Sequence, residues 1–277
     1  AFAHKGIVYA ATDLGIAALS GDRFTATTQL ANITSAVVRG DQILLSTENG
    51  GIYTAERNAN EIARLPGATR NARFAEVGES IFAISDNGIA ILDGTQVKAF
   101  DAGEPNSLSN NFVSAVAVDH NDVLWIGTFR QGIDVFSGEG RKLSHIETPD
   151  VREVNFIDAG STVRAATSKG LIEFDSGFQP SQAVGDETLA NRSVTHFSSD
   201  FIATSKGLVH REKGKFKLLS AQNGLPSNST YATLESGLKT YVGTLGGLAE
   251  IIDGRVARIY KDSNSNLDTN WVTALAE

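Results

Sequence analysis

One short pattern returns seven times along the chain: a strand ending in Thr or Ser, a short polar turn, a glycine, and then an aliphatic residue. The glycines are Gly15, Gly51, Gly88, Gly132, Gly170, Gly207 and Gly247, and the residues after them are Ile16, Ile52, Ile89, Ile133, Leu171, Leu208 and Leu248. Their spacings run from 36 to 44 residues, a period shared by four-stranded propeller blades and by helical repeats. Local pattern separates the two. Each turn is entered by a short run that is apolar nearly throughout: "IVYAAT", "ILLST", "IFAIS", "LWIGT", "VRAAT", "FIATS" and "TYVGT". Runs this short, rich in β-branched and aromatic residues and punctuated by glycine, are strands. Between them, Gly21-Asp22, Asp93-Gly94, Ser137-Gly138, Lys213-Gly214 and Asp253-Gly254 supply the positive-φ positions that tight hairpins need. The unit reads strand, turn, strand, turn, strand, turn, strand.

Two columns fit such sheets packed side by side. In the second strand, Tyr9, Leu44, Phe82, Trp125, Arg164, Phe201 and Tyr241 share one position, and large rings there fill the wedge between neighbouring sheets. Arg164 departs from the column, so either a paired guanidinium or a shifted register is expected at that junction. In the first strand, Ala36, Ala75, Ala115, Ala232 and Ala274 let innermost strands crowd together. The chain ends with "NWVTALAE", which matches the first-strand segment "NFVSAVAVD" of residues 111–119, and it begins at a turn and second strand. The expectation is an all-β, seven-bladed β-propeller of four-stranded antiparallel blades, closed by a C-terminal strand joining the N-terminal blade. Residues 1–277 then form a single domain with no linker.

Composition narrows the function. A net charge of −8 and a pI of 5.2 repel phosphate backbones and anionic surfaces, which argues against nucleic acid as a partner. No apolar run is long enough for a membrane span, so membrane insertion of this segment is not expected. Absence of cysteine removes disulfides and thiolate metal sites, and absence of methionine marks a processed chain or a piece of a longer one.

The segments "NSLSNNFVSAVAVDHNDVLWIGTFRQGIDVFS" from Asn106, "NGLPSNSTYATLESGLKTYVGTLGGLAEI" from Asn223 and "NSNLDTNWVTALAE" from Asn264 resemble the two-component regulator propeller repeat. That resemblance implies a periplasmic or extracellular sensing module, usually placed before a transmembrane helix and a histidine kinase, for which small molecules such as oligosaccharides are proposed signals. A single ring without linker sandwich or signalling domain departs from many relatives.

Long, polar segments connect the blades: "DAGEPNSLSNN" from Asp101, "VGDETLANR" from Val184, "SAQNGLPSNS" from Ser220 and "KDSNSNLDTN" from Lys261. They open on the same end as the turns between second and third strands, the natural place for binding. Those turns carry Asp13, Glu48 and Asp86 in blades one to three, but Arg130, Lys169 and Lys206 in blades four to six. Arg152 and Arg192, near the starts of the first strands of blades five and six, deepen the basic half. These five cations are the expected ligand or partner site, for an anionic small molecule, an oligosaccharide or a partner protein; turns also attract charge for no functional reason.

Other chemistry is thin. His4 and His120 fall in first-to-second-strand turns, His145 and His210 near outer strands, and His196 on a first strand, where it reads as a satisfied interior residue. "DSNSNLDTN" spaces oxygens like a calcium loop but has Leu267 and Thr273 where that loop needs glycine and glutamate. No metal or cofactor is therefore expected. The rival functions are a structural docking subunit of a larger complex and a propeller lyase or hydrolase.

Overall fold

The computed structural model describes every residue except 1, 5, 29, 56–61, 66–70, 78–79, 86, 94–95, 186, 190–191 and 276–277, and only the backbone of 2–4, 28, 77, 93, 96–97 and 182–183. Seven four-stranded antiparallel sheets account for all its strands, and each keeps sequence order from first strand to fourth. The second strands are Ile7–Thr12, Gln42–Thr47, Ser80–Ser85, Leu124–Thr128, Val163–Thr167, Phe201–Thr204 and Lys239–Thr244. These are the blades of the expected propeller. Three of them lie in one compact unit, residues 1–113, and four in a second, residues 114–277.

The Thr or Ser that ends each second strand explains the repeat. In blade four the Thr128 hydroxyl donates to the Gly132 carbonyl at 3.1 Å and accepts the Gln131 N–H at 3.0 Å. The same two bonds recur from Thr12, Thr47, Ser85, Thr167, Thr204 and Thr244. A hydroxyl at this place holds the turn shut from within. The glycine that follows is needed for two reasons at Gly132: its φ is 68°, and a Cβ there would sit 2.0 Å from the Ile146 carbonyl oxygen.

Within each unit, the first strand of one blade packs on the second strand of the blade before it. Tyr9, Leu44, Trp125 and Phe201 are buried at these junctions, and Phe82 is buried as well, as the aromatic column predicts. Arg164 takes the paired alternative with its register intact, opposite Asp158 and Glu173. Its Nη2 lies 3.1 Å from Asp158 Oδ2, and its guanidinium carbon stands 4.9 Å from the centre of the Phe197 ring in the next blade. A planar, weakly hydrated cation can thus replace an aromatic ring where a carboxylate and a ring face receive it.

Fourth strands are the outer edges. Arg23, Arg64, Lys98, Lys142, Pro180, Lys215 and Arg255 put a cation or a proline on each of the seven, which discourages edge-to-edge pairing.

The expected closure by the C-terminal strand is corrected. The first blade obtains its first strand from Phe2–His4, paired Phe2 to Tyr9, Ala3 to Val8 and His4 to Ile7 across a turn in which Gly6 has φ 77°. A short local hairpin closes at a much smaller entropic cost than recruiting a strand from the far end of the chain. Residues 271–275 form no strand. They begin the course of a first strand, with the Val272 N–H donating to the Thr244 carbonyl at 3.0 Å, beside the second strand of blade seven.

Candidate functional site

The five expected cations fall into two groups, both in the second unit. In the first group, Arg152 Nε donates to the Arg130 carbonyl at 3.2 Å, while the Gly132 N–H donates to the Arg152 carbonyl at 2.9 Å. These bonds tie the segment before blade five to the turn of blade four. Lys169, on the turn of blade five, joins Arg152 in the wall of a cavity of about 620 Å³ whose other walls are Glu147, Thr148, Pro149, Glu153 and Ser168. In the second group, Arg192 Nη1 donates to the Lys206 carbonyl at 3.2 Å and its Nε to the Thr188 carbonyl. Carbonyls therefore position both arginines, leaving the lysine ammonium groups on exposed turns.

Sequence reasoning saw only the cations here. Glu147 and Glu153 bring an equal number of carboxylates into the cavity wall. The signal was present in "ETPDVRE", residues 147–153, where acids flank Arg152 and Pro149 marks a turn. The Arg152–Glu147 pair is long, 3.7 Å, and exposed on both sides, so it contributes little on its own. Glu147 continues a string of charge into the sheet: His145 Nε2 is 3.7 Å from it, and His145 Nδ1 is 2.9 Å from Asp134, which is fully buried and also 2.8 Å from the Lys142 ammonium.

In the first unit, Asp13 and Glu48 are exposed on their turns. Asp86, the third acid of the expected pattern, lies outside the described residues. The long segments are held by their own side chains. Asn111, Asn228 and Asn270 each accept, through Oδ1, the N–H of a residue just past the preceding fourth strand: Ala102 at 2.7 Å, Ala221 at 2.7 Å and Asp262 at 3.0 Å. Two of the oxygens at calcium-loop spacing, those of Asn264 and Asn270, thus accept backbone N–H groups instead.

His196 lies where an interior residue belongs, its ring 4.2 Å from that of Phe156 in the blade before and its Nδ1 3.1 Å from Thr233 Oγ1 in the blade after. The Thr233 N–H points at the same nitrogen at 3.4 Å, which makes Nδ1 an acceptor and the ring neutral. Burial pushes its pKa below the usual histidine value, against a smaller upward pull from Asp158.

A further feature of this end was not anticipated. Phe129, Leu245 and Trp271, three large apolar residues on its turns and loops in the second unit, are 58%, 49% and 57% exposed. Tyr231 lies beside Trp271 with ring centres 6.2 Å apart.

Residues 107–130 match the two-component regulator propeller family. No curated protein matches the chain. Among solved structures, the extracellular domain of the one component system BT4673 of B. thetaiotaomicron shares 17% identity and a TM-score of 0.59 over 89% of this chain. PorZ, a surface component of the type-IX secretion system of Porphyromonas gingivalis, shares 16% identity and a TM-score of 0.55 over 92%. The computationally designed protein Ika8 shares 12% identity and a TM-score of 0.61 over 89%, and 78% of its own chain is covered. This chain spans 36% of the BT4673 domain and 46% of PorZ. At these identities the likeness carries the fold alone.

Proposed function

We propose that this chain is a non-catalytic binding module of an exported, sensor-like protein, and that it holds an anionic group of a small ligand at the long-loop end of blades four to six. The observation that carries this reading is the cavity walled by Arg152 and Lys169, in which the guanidinium is already oriented by the Arg130 carbonyl. A ligand carboxylate or phosphate can displace the weak contact with Glu147 at small cost and gain a charge-assisted hydrogen bond. Lys206 and Arg192 form a second cationic group on the turn and entry segment of blade six. Export, to the periplasm or beyond, is supported by the extracellular setting of the BT4673 domain, and no helix among the described residues is long and apolar enough to cross a membrane. The neutral, enclosed state of His196 supports a structural role for it rather than an acid-base one.

A second reading, docking within a larger assembly, is favoured by the exposed Phe129, Leu245 and Trp271 at the same end. One experiment separates the two. Calorimetry with an oligogalacturonate and its neutral counterpart is expected to show binding of the acidic sugar only, weakened at least ~10-fold in the Arg130→Ser/Lys169→Ser/Lys206→Ser variant, with a flatter salt dependence and an unchanged melting temperature. Equal affinity in the triple variant discards the site. No heat with either sugar leaves docking, which then requires that Phe129→Ser/Trp271→Ser abolish assembly.

A further inference from the structure

At the other end of blades four and five, a cavity of about 340 Å³ has quite different walls. Trp125, Phe174 and Phe178 line it, with the tryptophan ring centre 5.4 Å from one phenylalanine and 5.5 Å from the other. Asp119 and Asp175 are the carboxylates of its wall, His120 stands beside them, and no lysine or arginine is among the described residues that line it. Both carboxylates are locked in place by their own turns. Asp119 Oδ1 accepts the N–H groups of Asn121 and Val123, and its Oδ2 accepts Trp125 Nε1 at 3.2 Å. Asp175 Oδ1 accepts those of Gly177 and Gln179. Two fixed carboxylates beside aromatic rings, with no lysine or arginine among the described lining residues, make a potential that attracts a positive ligand with an apolar body.

The turn that carries Phe178 supplies a second observation. Blade four makes the same turn at Ser137–Arg141, where the Ser137 N–H donates to the Arg141 carbonyl and the Gly140 N–H to the Ser137 carbonyl; blade five repeats both bonds at Asp175–Gln179 with Phe178 in the glycine's place. Gly140 has φ 82° and Phe178 has φ 63°. For a bulky residue that conformation is strained, and Gly177, one position earlier, would have avoided it had the order been reversed. The strain is accepted to set an aromatic ring on this wall.

We infer that the cavity is a binding site for an organic ammonium ion, a small alkylated amine whose charge faces Asp175 and Asp119 and whose methyl groups lie on Phe178 and its neighbours. This site is independent of the cationic one at the long-loop end.

Choline and its neutral isostere 3,3-dimethylbutan-1-ol are the probes. The chain has two tryptophans, and Trp271 is exposed, so a Trp271→Phe background leaves Trp125 as the only indole reporter. Fluorescence and calorimetry are expected to show saturable binding of choline, with the isostere weaker by about tenfold or more. Asp175→Asn keeps the oxygen that holds the turn and removes the charge; it should weaken choline about tenfold and leave the isostere unchanged. Phe178→Leu keeps an apolar wall without the ring and should weaken choline as well. Phosphocholine, whose phosphate would meet two carboxylates, should bind less tightly than choline. The proposal is overturned if both methods are silent, if the isostere binds as tightly as choline, if either variant binds choline like the parent, or if phosphocholine binds best.

Discussion

Blades four and five are adjacent copies of one plan in the same compact unit, and they solve its three recurring problems differently. Where blade four places the Trp125 indole in the inter-blade wedge, blade five places the Arg164 guanidinium against Asp158 and the Phe197 ring. Where blade four lets Gly140 take the left-handed position of its outer turn, blade five strains Phe178 into it. At the repeat glycine, a Cβ on Gly132 would collide with the Ile146 carbonyl, whereas one on Gly170 would meet nothing within 4 Å. The plan is thus set by turns and hydroxyl clamps, and the wedge between sheets accepts any side chain whose polar atoms are satisfied.

The largest test of that contrast is truncation of the two wedge residues. Trp125→Ala should cost about 3–5 kcal/mol, because its fully buried ring leaves a void. Arg164→Ala should cost only ~1–2 kcal/mol, since Asp158 keeps access to water and what is lost is a part-exposed ion pair and one cation–ring contact. Urea titration of both variants checks the order; equal losses would mean that Arg164 is as integral to packing as the tryptophan.

Next in size is the glycine pair. Gly132→Ala is expected to destabilise by ~2–3 kcal/mol or more, combining left-handed strain with a backbone collision, and Gly170→Ala by about 1–2 kcal/mol from strain alone. Reversal of that order in thermal melts would break the assignment of the Ile146 carbonyl as the obstacle.

The smallest effect belongs to the blade-five side only. His196 packs on Phe156, and its folded pKa lies below its unfolded one, so the folded state binds fewer protons. Its contribution to stability is complete above the unfolded value near 6.5 and fades as pH falls through the interval down to the folded value. Melting temperatures of the parent should therefore decline on acidification through that window more steeply than those of His196→Gln. Parallel profiles would show that the imidazole is not what titrates.

The candidate site was half legible in the sequence. Arg130 and Lys169 could be picked out because their turns repeat with the blades, and Arg152 by its charge; Arg152 and Lys169 share a cavity wall, and the Arg152 guanidinium donates to the Arg130 carbonyl. Glu147 and Glu153 were missed because they lie in a connection of irregular length, where no period says which side chains face inward. The aromatic and acidic cavity at the opposite end was invisible for a related reason. Asp119, Trp125 and Phe178 come from separate strands and turns, and nothing in their spacing announces that they share a wall.

What the amino-acid order determined by itself is the repeating unit and its sevenfold count, since each Thr or Ser clamp closes on partners only two to four residues away. Tertiary structure alone decided which carboxylates meet which cations, that Phe178 should bear strain to cover Trp125, and that Phe2–His4 rather than the chain's last residues completes the first sheet. Those outcomes depend on contacts between residues distant in sequence, where loop entropy and packing, not local preference, select the partner.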